Sequence, residues 1–168
     1  RAIASFVAEK DIFISQGVAD SRSFIEKIIQ RKSKVEVVYN GVDFEEINAA
    51  CKSSSEIREN YRENILFGHV GDYKKEKNHT LLLKTFQSIL KSYPSAKLIV
   101  AGKDLDQVKS LAVKYNLYDS IVFLGFVPRS DLYEYLSIFD IFLFPSTSEG
   151  MPEAVVQAIA AKVPVIAS

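Results

Sequence analysis

Two hydrophobic periods alternate along the chain. Short apolar runs with little polar interruption recur at Asp11–Ile14, Val35–Tyr39, Ile65–Val70, Lys97–Ala101, Ile121–Leu124, Asp140–Phe144 and Pro164–Ala167. Rich in Ile, Val and Phe, and ended by Gly, Pro or Asn, they predict strands covered on both faces. Amphipathic segments lie between them. In Asn78–Tyr93, Leu82, Phe86, Ile89 and Tyr93 fall on one helical face, and Pro94 ends the pattern. Val18–Arg31 carries Phe24, Ile25, Ile28 and Ile29, and Leu105–Tyr115 carries Val108, Leu111 and Ala112. Ser130 is the expected N-cap of a short helix holding Leu132, Tyr135 and Leu136, and Pro152–Ala161 opens on proline. From residue 65 onward, strand and helix alternate, which predicts an α/β fold: an open parallel sheet with helices on both faces. In such sheets ligands gather at the carboxyl ends of the strands. The weakly periodic stretch Asn48–Asn64, after the turn Asn40-Gly-Val-Asp43, reads as the one boundary.

Composition narrows the class. With 168 residues, 48% hydrophobic and 25% charged, the chain has the make-up of a soluble globular domain. Lys and Arg number 21, as do Asp and Glu, a balance that argues against nucleic acid as the principal partner. The single cysteine, Cys51, points to a reducing compartment. His69 and His79 have no second ligand pair in register, so no metal site is expected, and His69 reads as a core histidine. No apolar run approaches the ~20 residues of a membrane span. The first residues lack an initiator Met and the last lie in an expected strand, so both ends read as cuts in a longer protein.

Chemistry is sought in the loops. Pro145-Ser-Thr-Ser-Glu-Gly-Met-Pro152 joins a strand to a helix, and the amides of Gly150, Met151 and the helix start suit an anion. Glu149 and Gln157 are eight residues apart and can face one crevice; an ordinary helix start with a solvated Glu149 fits the same spacing. Gly71-Asp-Tyr-Lys-Lys-Glu-Lys-Asn78 offers Gly71 for close backbone approach and Lys74, Lys75 and Lys77 as cations, or else a solvated turn capped by Asn78. The backbone at Phe126 and Val127 can read a flat base edge, or simply turn. Asp104-Leu-Asp106 reads as a helix start rather than a metal site.

Taken in order, these segments resemble the group 1 retaining glycosyltransferases, family 4-like and of the GT-B fold. Val38-Tyr-Asn-Gly-Val-Asp43 resembles that family's interdomain "v-x-N-G-V-D", and Gly68–His79 its "G-R-x-x-x-x-K-N" phosphate loop. Leu98–Gly102 and Val122–Gly125 resemble its next strand ends. Asp140–Ser146, Glu149–Pro152 and Ala158–Ser168 resemble "a-D-v-x-x-x-P-S-x-x-E-G-x-P…E-A-x-A-x-G-x-P-V-I-a-S". The resemblance implies a truncated, Rossmann-like C-terminal donor domain at 44–168, preceded at 1–43 by the last unit of an N-terminal domain and its connection. It implies transfer of a sugar from a UDP- or GDP-sugar to a glycan or lipid-linked acceptor, with retention and without a metal or other cofactor. The setting implied is capsular or exopolysaccharide synthesis, cytoplasmic, at the inner face of the plasma membrane, with peripheral membrane association of the full-length protein.

By the same resemblance, Lys77, Gly71 and the turn Gly150-Met151-Pro152 face the diphosphate, Glu149 holds the donor sugar, Gln157 stands at the ribose position and Phe126–Val127 meets the base. A non-catalytic relative and a sugar-nucleotide epimerase are the alternatives. Three positions depart from the pattern: Asp72 stands where an arginine is expected, Gln157 replaces an acid, and Lys162 replaces a glycine. Lys74 or Lys75 is the expected replacement for the lost arginine charge. The histidine that the family supplies from its other domain is not in this chain, so the fragment by itself is expected to bind donor weakly and not to turn over.

Overall fold

The computed structural model describes residues 10–21 and 34–168. The expected apolar face at Phe24–Ile29 lies outside them. The described chain forms two compact units, one holding the N-terminal part to Gly41 with Glu149–Glu153, the other Val42–Ser148 with Ala154–Ser168.

In the first unit β1 (Lys10–Phe13) pairs in parallel with β2 (Lys34–Val37). Between them α1 (Gln16–Asp20) begins where the Ser15 hydroxyl accepts the Val18 N–H. The turn Glu149–Glu153 belongs to this unit. Its Met151 sulfur accepts the Asn40 N–H at 3.1 Å. A side chain at Gly150 would come within 2.9 Å of Val18 and 3.2 Å of Ile14. The turn thus packs against the side-chain ends of Val18 and Ile14.

The second unit is built on five parallel strands: β3 (Leu66–Val70), β4 (Lys97–Ala101), β5 (Ile121–Gly125), β6 (Ile141–Phe144) and β7 (Val165–Ala167), in the spatial order β5-β4-β3-β6-β7. Neighbouring residues along one strand enter opposite cores. Phe67, Leu98 and Val100 pack with Leu82, Leu83 and Phe86 of α4 (His79–Ser92) and Val108 and Ala112 of α5 (Asp106–Lys114). Leu66, Ile99, Phe142 and Phe144 pack with Ile47 of α2 (Phe44–Ser53), Tyr133 and Leu136 of α6 (Arg129–Ile138) and Ala158 of α7 (Glu153–Ala160). The open parallel sheet with helices on both faces is therefore present, and this double burial is why the strands read as unbroken apolar runs.

The weakly periodic stretch holds helix up to Glu59: Asp43 accepts the Glu46 N–H to start α2, and a short α3 (Ser55–Glu59) follows. Its apolar signal was weak because Ile47 is the one residue of α2 that is fully buried. Ser130 does not cap α6. The helix starts at Arg129 behind Pro128, and the Ser130 hydroxyl bonds the Asp131 carboxylate. The preset φ of proline suits the entry to a helix. Asp140 accounts for its place beside an apolar strand: its carboxylate accepts the Leu66 N–H at 2.7 Å and meets Arg58 at 3.3 Å.

Candidate functional site

The strand order locates the site. The chain runs outward from β3 through β4 to β5, then returns to lay β6 on the other side of β3. Helices on either side of this reversal diverge and leave a crevice at the carboxyl ends of β3 and β6. The loop after β3 carries Gly71 and a single 3-10 turn, Lys75–Lys77. Asn78 takes the left-handed conformation, φ 50°, and its side chain accepts the Leu81 N–H to start α4. That reversal directs Lys77 across the crevice, where its ammonium lies 5.0 Å from the centre of the Phe144 ring at the end of β6. A Cβ on Gly71 would meet Lys77 and His69 at 3.3 Å, so Gly71 and Lys77 share one corner. The loop after β6 is tied to the same corner. The Glu76 carbonyl accepts the Thr147 N–H at 2.8 Å and the Ser146 hydroxyl at 2.9 Å.

Two histidines lie under this corner. His69 on β3 is fully buried, with Nδ1 2.9 Å from the Leu143 carbonyl. An acceptor there assigns the proton to Nδ1 and leaves Nε2 as a bare acceptor without a partner. His69 is thus a core residue, as expected, but a half-satisfied one. His79 meets it edge-on at 5.0 Å and stacks under Tyr73. Burial is the main cause pushing His69 down to about 3, with His79 and Lys77 adding to it against the Leu143 hydrogen bond. Burial also lowers His79, aided by Lys77 and opposed by the Gly71 backbone. Both rings are neutral at pH 7, so they add no positive charge beside Lys77.

The other sequence-derived residues distribute as follows. Lys74 and Lys75, with Tyr73, Asn78, His79 and Thr80, line a recess of about 270 Å³ beside the start of α4. Phe126 and Val127 follow β5, with Phe126 67% exposed. Gln157 is buried on α7. Glu149, Gly150, Met151 and Pro152 lie in the turn of the first unit. Asp104 takes φ 57° and Asp106 begins α5, a helix start. Among the described residues no group of three or more His, Cys, Asp or Glu side chains is placed to hold a metal ion.

A connection absent from the sequence reading runs along the strand ends on the β3–β4–β5 side. Gly71 N–H donates to Ala101 and Tyr73 N–H to Lys103, while Gly102 N–H donates to Gly125 at 2.8 Å. Asp72, at the position of the expected arginine, accepts the Lys103 N–H at 2.8 Å. Its carboxylate is thereby committed to the β4–α5 loop. The Lys103 ammonium in turn lies 4.9 Å from the centre of the Phe126 ring. Lys103 carries no periodic or motif signal, and only the strand order reveals its place beside Asp72 and Phe126.

Comparisons with known proteins agree with this architecture. The family model described as glycosyl transferases group 1 matches residues 52–168. An uncharacterized glycosyltransferase of Methanocaldococcus jannaschii is 25% identical over 97% of this chain and 41% of its own length. The Campylobacter jejuni N-acetylgalactosamine-N,N'-diacetylbacillosaminyl-diphospho-undecaprenol 4-alpha-N-acetylgalactosaminyltransferase is 26% identical over 88% of this chain and 39% of its own length. The chain thus spans about two fifths of these relatives. A crystal structure of Anabaena HepE in complex with UDP and glucose superposes with a TM-score of 0.79 at 20% identity, covering 98% of this chain and 46% of that one. At that identity the likeness is one of fold.

Proposed function

The chain belongs to the group 1 glycosyl transferases, and on that premise we propose that it carries the donor-binding part of an enzyme moving a sugar from a nucleoside diphosphate to an acceptor hydroxyl with retention at the anomeric carbon. The observation that supports this most directly is the placement of Lys77 over Phe144 at the reversal between β3 and β6. A leaving nucleoside diphosphate gains negative charge as the glycosidic bond breaks, and a fixed cation with backbone N–H dipoles lowers that barrier. Lys77 is the charge and Gly71 the point where the backbone lets phosphate oxygens approach. The amides of Gly150 and Met151, leading through Pro152 into a helix, supply dipoles. No metal is needed in this scheme. Glu149 accepts hydrogen bonds from the donor sugar, Gln157 binds the ribose, and the Phe126–Val127 backbone meets the base.

In the same reading residues 1–43 close an acceptor-binding domain and 44–168 form most of the donor domain. The acceptor is a lipid-linked glycan in polysaccharide synthesis at the cytoplasmic face of a membrane, by analogy with the undecaprenol-linked acceptor named for the Campylobacter relative. Among the described residues no helix is long and apolar enough to cross a membrane.

Calorimetric titration with UDP- and GDP-sugars tests the proposal. Saturable binding is expected, and Lys77→Ala should weaken it about tenfold or more while flattening its salt dependence. Glu149→Gln should abolish transfer in the full-length enzyme while nucleotide binding persists. Absence of saturable binding to any nucleotide sugar, or an unaltered affinity in Lys77→Ala, refutes the reading.

A further inference from the structure

Asp72, Lys103 and Phe126 belong to three successive strand-end loops, yet they act as one unit. The Asp72 carboxylate holds the Lys103 backbone through a 2.8 Å hydrogen bond, and the Lys103 carbonyl accepts the Tyr73 N–H at 3.0 Å. Both main-chain hydrogen-bonding groups of Lys103 are thus engaged by the loop after β3. Its ammonium rests over the Phe126 ring, 4.9 Å from the centre. That ring is 67% exposed at the carboxyl edge of the sheet. Next to it Gly125, at φ 70°, has no atom beyond its two chain neighbours within 4 Å of where a Cβ would stand. An open backbone, a bare aromatic face and a tethered cation thus meet at one strand end.

We propose that Lys103 and Phe126 form a base-reading pair, which selects donors whose nucleobase presents a carbonyl oxygen at pyrimidine C4 or purine C6, uridine or guanosine, over those with an amino group at the same position, cytidine or adenosine. This rests on the donor-binding reading above. A base and an ammonium compete for the same ring face. Stacking of a base on an aromatic ring exceeds an exposed cation–π contact, so the base takes the face and the ammonium swings aside. Its four-carbon stem lets it donate to the edge of the displacing base. Lysine has donors only, so a carbonyl oxygen satisfies it and an exocyclic amino group repels it. Asp72 is the positioning residue: its carboxylate fixes where the stem begins.

The test is titration of the protein with UDP, CDP, GDP and ADP, pairs that differ at the base edge. The unaltered protein should prefer UDP to CDP and GDP to ADP by about tenfold, the discrimination of one charge-assisted hydrogen bond. Lys103→Ala should reduce both ratios to near one, chiefly by weakening the carbonyl-bearing partner. Lys103→Arg should restore them. Phe126→Ala should weaken all four nucleotides in common. Asp72→Asn, which keeps an acceptor, should preserve the ratios, and Asp72→Ala should lower them. If UDP or GDP binds but the ratios in Lys103→Ala equal those of the unaltered protein, the base-reading pair is wrong and the donor site stands. If none of the four nucleotides binds, both are wrong.

Discussion

Gly102→Ala offers a sharp test of how the strand-end loops are held. A Cβ at this position would stand 2.2 Å from the Gly71 carbonyl oxygen, 2.6 Å from its carbon and 3.0 Å from the Asp72 nitrogen. All three are backbone atoms, so no rotamer change relieves the overlap. The loops after β3 and β4 would have to part, against the bonds Gly71 N–H to Ala101 at 2.9 Å, Tyr73 N–H to Lys103 at 3.0 Å and Lys103 N–H to Asp72 at 2.8 Å. Overpacking of this kind costs about 1–3 kcal/mol. Losing one or two of the hydrogen bonds adds about 1 kcal/mol each. The sum, about 2–5 kcal/mol, is a large share of the ~5–15 kcal/mol by which a domain is stable. Urea unfolding followed by far-UV circular dichroism suits a chain without tryptophan, and the midpoint should fall by about 2 M. Gly125→Ala is the internal control. It shares a positive φ, 70°, but its Cβ would enter open space, so it should lose only the ~1–2 kcal/mol of left-handed strain. If the two variants lose the same stability within about 0.5 kcal/mol, the contact between the Gly71 and Gly102 backbones does not hold these loops.

Two further outcomes follow from other parts of the molecule. Lys162 sits at φ 62° just past α7, where its N–H donates to Ile159 and that of Val163 to Ala158. This is a helix-ending turn that glycine adopts without strain, so Lys162→Gly should stabilise by about 0.5–1 kcal/mol, and a lowered Tm would contradict the strain argument. His69 and His79 are neutral when folded, their pKa values pushed down by burial, to about 3 for His69. The unfolded chain takes up protons near pH 6.5 while the folded one does not. The contribution of His69 is therefore complete above about pH 6.5 and falls as the pH drops towards 3, by up to about 1.4 kcal/mol per pH unit, and His79 acts in the same direction. The urea midpoint should fall between pH 7.5 and pH 5. It should fall less in His69→Phe, and an equal fall in that variant would show that another group carries the effect.

Much of the second unit was legible because its strands are buried on both faces. The runs at Lys97–Ala101 and Ile121–Gly125 show no polar alternation that a helix could imitate. The start of α4 was legible too, since Asn78 caps a face marked by Leu82 and Phe86. Helix α2 was harder to see, because it presents a single buried Ile47 among polar neighbours. At the site, Gly71 and Lys77 stood out as a strand-end glycine followed by cations. Lys74 and Lys75 carried the same signal, and only the left-handed Asn78 and the 3-10 turn before it decide which lysine reaches Phe144 of β6.

The chain's own order of residues determined which segments are strands and which are helices, that the sheet is parallel, and that chemistry gathers after the strands. These follow from short-range properties: side-chain period, capping and the stiffness of proline or freedom of glycine. Folding in three dimensions decided the order β5-β4-β3-β6-β7, and with it the meeting of Lys77 with Phe144 and of Asp72 with Lys103 and Phe126. Strand neighbours are chosen by how two separate cores fill on opposite faces of the sheet. That choice depends on packing between residues 30 to 75 positions apart (Phe67 against Leu98, Gly68 against Phe142), and no local pattern encodes it.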